Sequence, residues 1–270
     1  VAITFDDGPH AQNTPRLLDL LKERKVRATF FVVGQNAVEY PEILKRIAGE
    51  GHELANHSYS HPILASLGES ALREQMEKTS QAVLKATGVT MRLMRPPYGA
   101  LSEPQRRFVN ATYNYRVILW DVDPLDWKHR DAGRVQSEIT GRAKPGSIIL
   151  AHDIHKSTVD AMPATLDALL AKGFKFVTVS ELLAMDKPGA SKPARTGASE
   201  AETVEKTVSK SNAKDKKAAS GSGDREGKPA AKRSAKPAES EESKRGSNAS
   251  SKKPETPEET KQRWLKMFGR

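Results

Sequence analysis

The chain has 270 residues, of which 37% are hydrophobic and none is cysteine, and carries a formal net charge of +10. The lack of cysteine excludes disulfides, thiolate nucleophiles and Cys-ligated zinc, so any metal must be held by histidine and carboxylate; no run of about 18 apolar residues marks a membrane span. The charge is uneven, with 21 Lys/Arg against 12 Asp/Glu from Lys187 onward and 23 against 22 before it, so the basicity belongs to the C-terminal third.

Val1 already lies in an apolar, strand-like run reaching Phe5, from which we expect the natural chain to begin further upstream, with any signal peptide or anchor out of view. A helix follows over Thr14 to Lys25, with Leu17, Leu18 and Leu21 on one face, then a strand over Ala28 to Val33. Pro41 to Gly49 reads as helix, Glu53 to Asn56 as strand, Glu69 to Thr87 as a longer helix, and Arg92 to Arg95 as a strand entering a Pro-Pro break. Glu103 to Ala111 is helical. Arg116 to Asp121 and Ser147 to Ala151 are strands flanking a helix at Gly133 to Arg142, and helix Val159 to Ala171, strand Lys175 to Val179 and helix Ser180 to Met185 close the series. About seven alternating units predict an α/β fold, a distorted (β/α)7 barrel over residues 1–186, with an open doubly wound sheet as the alternative. From 187 to 257 the Lys/Ala/Ser/Glu/Pro-rich composition reads as a disordered linker, too poor in large apolar residues to offset the entropy of folding. Residues 258–270 set Trp264, Leu265, Met267 and Phe268 among Lys261, Arg263 and Lys266, the pattern of a short basic amphipathic helix. Such a tail suits an anionic wall polymer or a membrane surface; with no aromatic interleaving and no known module, nucleic acid is not expected. Oligomeric state is not legible.

In a barrel, chemistry gathers at the C-terminal strand ends, and the polar residues fall there. Asp6-Asp7-Gly8-Pro9 places two diverging carboxylates after the first strand, one able to bind a cation while the other serves as base, or simply a capped turn. His57 and His61, four apart, face one way if they span a helical turn, and with one carboxylate they make a site with open positions; as a lone pair they read equally as structural. Arg95, on the rigid Arg95-Pro96-Pro97-Tyr98-Gly99 segment, is placed to orient Asp6, with the Tyr98 amide able to face a ligand, or is simply a surface arginine on a proline loop. Asp126-Trp127 joins a carboxylate to a flat surface on which sugars stack or which packs in a core. Ile148-Ile149-Leu150-Ala151-His152-Asp153 is a buried-type strand delivering a histidine to the mouth, or a common core ending. His10, His52, His129 and His155 read as structural or rim residues.

The order and spacing of these five motifs resemble the polysaccharide deacetylase family, also called the NodB-homology domain of carbohydrate esterase family 4, over residues 1 to 185. The resemblance implies Asp6 as general base; Asp7, His57 and His61 as ligands of a divalent metal, usually Zn2+ with Co2+ as a substitute; and Arg95 as the residue positioning Asp6. It also implies the Tyr98 amide in the oxyanion hole, Asp126 orienting His152 as general acid, Trp127 lining the groove, and Leu150 against the acetyl methyl. The implied activity is removal of N-acetyl groups, with release of acetate, from an N-acetylglucosamine polysaccharide such as peptidoglycan or chitin-type oligomers, outside the cytoplasm. The residues leave open an acetylxylan O-deacetylase and a catalytically silent glycan-binding domain, although a silent relative would be expected to have lost a ligand or the base.

Overall fold

A computed structural model describes residues 1–185; the linker and terminal helix expected over 187–257 and 258–270 lie outside the described residues. The elements run β1 (Ala2–Asp6), α1 (Asn13–Glu23), β2 (Thr29–Val32), α2 (Gly34–Glu39), α3 (Pro41–Gly49), β3 (Glu53–Asn56) and α4 (Glu69–Thr87). After them come β4 (Leu93–Met94), α5 (Glu103–Tyr113), β5 (Arg116–Val117), α6 (Asp126–His129), α7 (Ala132–Arg142), β6 (Ile148–His152), α8 (Lys156–Ala171) and α9 (Val179–Met185). Local signals set several of these boundaries. Pro41 opens α3, Ser102 and Gln105 form a reciprocal capping box on α5, and Gly88, at φ 73°, closes α4.

All pairings between named strands are parallel, in the order β5-β4-β3-β2-β1-β6. β1 is buried along its whole length, as a strand with both faces covered must be. Its Ile3 and Phe5 point outward to the helices, in one core with Leu17, Leu18, Phe30, Leu44, Met76, Ile149 and Leu166. A second, smaller core of Ala2, Phe31, Ala55, Leu93 and Ile118 fills the inside, where Val179 and Leu182 of α9 plug one end. Val122 forms a parallel bridge to Ile149 of β6, so the segment beginning as β5 against β4 ends against the opposite edge of the sheet. That closure gives a distorted barrel and sets aside the open doubly wound alternative.

Two expected strands differ. The run expected over Arg116 to Asp121 leaves the ladder after Val117, and it must, because it crosses from β4 to β6. The seventh strand expected over Lys175 to Val179 does not join the sheet: Val1 N donates to Lys175 O (2.9 Å) and Val177 N donates to Val1 O (3.1 Å), after which the chain turns into α9. β1 is already paired on both sides, by β2 and β6, and has no free edge to offer.

Candidate active site

Asp6 ends β1 as the register partner of His152 in β6, while His57 and Arg95 follow directly on β3 and β4. The polar residues therefore gather at the C-terminal mouth, as expected.

Arg95 is fully buried, its guanidinium 4.0 Å above the Phe31 ring. Nη1 donates to Asp6 Oδ1 (2.6 Å) and to Thr4 Oγ1 (2.7 Å), Nη2 to Leu119 O (3.1 Å) and Nε to Ile118 O (3.4 Å). The two carbonyls come from the irregular stretch after β5, so the break in the ladder supplies acceptors that a regular strand would have used on its neighbour. Asp6, 2% exposed, is left with Oδ2 facing His57 Nε2 at 3.7 Å.

Asp7 Oδ1 lies 3.4 Å from His57 Nε2 and 3.2 Å from His61 Nε2. The His57 Nδ1 sits 2.7 Å from the Arg95 carbonyl; since a carbonyl only accepts, Nδ1 carries a proton there, and Nε2 is the nitrogen turned toward Asp7 and the one that a metal ion would take. Asp7, His57 and His61 are one group of ligand atoms close enough to share a metal ion, and Asp7 Oδ1 is buried without a hydrogen-bond partner among the described residues. A buried acceptor of that kind is costly unless something cationic meets it, so the donor set fits a divalent ion. Burial alone would raise the Asp7 pKa, but the hydrogen bond and charge of His57, with the charges of His152 and His61, hold it well below the usual carboxylate range. Burial pushes His61 down to about 4 with help from the nearby His57 charge, which keeps its imidazole neutral and able to ligate.

The two histidines converge through a loop and not through the helical turn expected from their spacing. Ser58 (φ 66°) and His61 (φ 57°) are left-handed. Gln75 Oε1 of α4 accepts from Tyr59 N and Ser60 N (2.9 Å each), Ser58 Oγ accepts from His61 N (3.1 Å), and the first amides of α2 donate to Ser58 O and Tyr59 O (2.9 Å each). With the loop's own polar groups satisfied by α2 and α4, the imidazoles are left for a ligand. Tyr98, also left-handed at φ 59° within the 3-10 turn Pro97–Gly99, sets its ring edge-on to His61, centroids 4.9 Å apart.

Across the mouth, Asp126 is fully buried. Its Oδ1 meets His152 Nδ1 at 2.8 Å and accepts from Trp127 N (2.9 Å), while Oδ2 accepts from His152 N (2.8 Å) and Thr158 Oγ1 (2.7 Å). Burial would lower the His152 pKa, but the charge and hydrogen bond of Asp126 outweigh it and raise the value to about 9. The reverse holds at Asp126, where burial raises the pKa and His152 brings it below the usual range. Leu150, buried in β6, lies two residues before His152 and so on the same inner face.

Several partners were given no role by the sequence: Thr4, Thr158, Asn36, whose Nδ2 donates to Asp7 O at 2.7 Å, and Asp153. Each matters only through a contact between distant segments. Of the histidines read as structural or rim, His52 Nδ1 accepts from Ala28 N (3.1 Å), His10 Nδ1 accepts from Gln12 N and Asn13 N (3.2 Å each), and His155 stands 5.7 Å from His152, ring to ring.

Fold and site thus define a parallel α/β barrel with a His-His-carboxylate metal centre candidate beside a buried Asp-Arg pair and an Asp-His pair. A family model described as Polysaccharide deacetylase matches residues 1–118. The peptidoglycan-N-acetylglucosamine deacetylase of Bacillus cereus is 40% identical over 191 residues, 69% of this chain and 69% of that protein. The peptidoglycan-N-acetylglucosamine deacetylase PgdA of Listeria monocytogenes is 42% identical over 182 residues, 67% of this chain but 38% of its own length. Among solved structures, the T48 deacetylase with substrate superposes with a TM-score of 0.66 at 42% identity, covering 69% of this chain and 91% of that one. The chain belongs to the polysaccharide deacetylase family.

Proposed function

We propose that the chain removes N-acetyl groups, as acetate, from an N-acetylglucosamine-containing polysaccharide, with peptidoglycan favoured over chitin-type oligomers. The observation carrying this reading is the convergence of Asp7, His57 and His61 on one point beside Asp6. The names of the B. cereus and L. monocytogenes relatives support the substrate.

When bound to Asp7, His57 and His61, a divalent ion, zinc or cobalt in its place, polarises the acetamide and the attacking water. The chain's own residues move the protons. Arg95 fixes Asp6 Oδ1, so Oδ2 is the oxygen that accepts the proton of water as it attacks the carbonyl. The Tyr98 backbone N–H donates to the oxyanion that develops, and Leu150 packs on the acetyl methyl. His152 bonds Asp126 through Nδ1, leaving Nε2 to protonate the departing amine. Trp127, half-buried at the mouth, offers its ring to a sugar face. A cell-wall polysaccharide as substrate supports a location outside the cytoplasm, in the cell envelope or secreted. No described helix is long and apolar enough to cross a membrane. The basic C-terminal segment provides a contact to anionic wall polymer or membrane, and deleting residues 258–270 is expected to weaken retention on isolated walls; unchanged retention contradicts that role.

The test is acetate release from peptidoglycan, chitin oligomers and acetylxylan by protein stripped of metal and then resupplied with zinc or cobalt. Metal-restored release from peptidoglycan or chitin oligomers is expected. Release from acetylxylan alone makes the chain an O-deacetylase, and no release from any of the three leaves a glycan-binding domain without turnover.

A further inference from the structure

Beside the residues the family motifs account for stands a carboxyl with no role in the proton transfers. Asp153 follows His152, is fully buried, and accepts a hydrogen bond through Oδ2 from Thr14 Oγ1. Its Oδ1 has no hydrogen-bond partner among the described residues. Thr14 Oγ1 in turn accepts from His10 N (2.7 Å), and one residue earlier Asn13 Nδ2 donates to Ile154 O (3.0 Å). The carboxyl lies flat against Gly8, so closely that a methyl group on Gly8 would collide with both of its oxygens. Gly8 is the neighbour of Asp7, and on its far side Val33 N donates to Gly8 O (3.0 Å) while Asn36 holds Asp7 O. The turn carrying Asp6 and Asp7 is therefore gripped from one side by β2 and α2, and from the other by Asp153.

We propose that Asp153 is a positioning residue: through Thr14 and the face of Gly8 it locks the Asp7 turn to the strand end that bears His152, fixing the metal ligand and the proton donor relative to each other. A buried carboxyl with a single hydrogen bond is a poor choice for stability alone. Burial pushes its pKa up to about 7, and an apolar residue would fill the space at lower cost. What the carboxyl supplies instead is a flat, acceptor-bearing surface against a glycine, at a place where the segments following β1 and β6 meet. Supporting contacts of this kind tune metal affinity by about 10- to 100-fold in known centres.

The inference rests on the metal-binding reading above, and its test separates the two. In the full chain, Thr14→Val removes the hydroxyl's bonds while keeping its shape, Asp153→Ala removes the carboxyl, and Asp153→Asn keeps both the shape and the acceptor for Thr14. Zinc affinity is read by competition with a chromogenic chelator, and kcat and KM by acetate release. Thr14→Val and Asp153→Ala are expected to weaken zinc binding and lower kcat by about tenfold each, with KM within about twofold. Asp153→Asn is expected to restore both to within about twofold of the parent. Parent-like zinc affinity and kcat in Thr14→Val and Asp153→Ala, whatever their melting temperatures, would overturn the proposal, as would an Asp153→Asn as impaired as Asp153→Ala. If Asp153→Ala does not fold, Thr14→Val decides. A parent chain that takes up no zinc removes both readings, whereas an active, zinc-binding parent with unaltered variants removes only this one.

Discussion

Arg95 and Asp6 show how a single buried pair is kept in place. Four hydrogen bonds and the Phe31 face satisfy the guanidinium, so the desolvation cost of burying a cation is met by geometry. Arg95→Ala leaves Asp6 buried without its cation and is expected to cost about 3–5 kcal/mol of stability, measurable by denaturant unfolding, and to abolish acetate release. The Asp126-His152 pair makes a pH prediction whose sign follows from its cause. Because Asp126, against the effect of burial, raises His152 to about 9, above its ordinary 6.5, its imidazolium would be available as the proposed acid through neutral pH, and kcat should fall as pH rises through about 9. The contribution of His152 to folding is likewise full below pH 6.5 and lost as pH rises through about 9. Asp126→Asn removes the raising charge and leaves burial to lower the pKa, so the alkaline limb should move toward acid pH; an unmoved limb in that variant assigns the limb to another group.

Elements fix what residues cannot fix alone. The loop from His57 to His61 has no regular structure, yet it is held between α2 and Gln75 of α4. Gly34 permits that approach: a Cβ there would stand 2.5 Å from Thr79 Oγ1 and from the Tyr59 ring. Gly34→Ala should push α2 off both, destabilising by about 1–3 kcal/mol and weakening zinc binding, which calorimetric titration reads directly. At this scale the sequence was most informative where signals are local. Pro41–Gly49, Glu53–Asn56 and Glu69–Thr87 fall where periodicity, proline and glycine place them. It was least informative where a neighbour decides: Arg116–Val117 stops early because the chain must cross to β6, and 175–178 stays out of the sheet because β1 has no free edge. Asp7, His57 and His61 could be singled out as a candidate ligand trio because their spacing is a family pattern, and Asp126 and His152 as candidates for the same reason; the structure brings each set together. Thr4, Thr158 and Asp153 were not, since a hydroxyl or carboxyl in a buried run signals nothing until the distant strand beside it is known.

In the molecule as a whole, the barrel separates stability from chemistry. α9 plugs the end opposite the site with Val179 and Leu182. Leu182→Ala should therefore lower stability by about 2–4 kcal/mol while leaving the kcat of the folded protein unchanged; a loss of kcat would mean that the plug sets the geometry of the mouth. At the other end, the ends of β1, β3, β4 and β6 each contribute residues to a single candidate site, which would let the proposed metal centre, base and acid be tuned separately.

In the proposed reading, Asp7, His57 and His61 hold a metal that Asp6 uses but does not hold. One measurement bears on this most directly: zinc affinity and acetate release determined side by side for the parent chain, Asp6→Asn and His57→Ala. Asp6→Asn is expected to bind zinc like the parent and lose turnover by at least about 100-fold, and His57→Ala to lose both. Near-normal turnover in Asp6→Asn, or undiminished zinc affinity in His57→Ala, would contradict it.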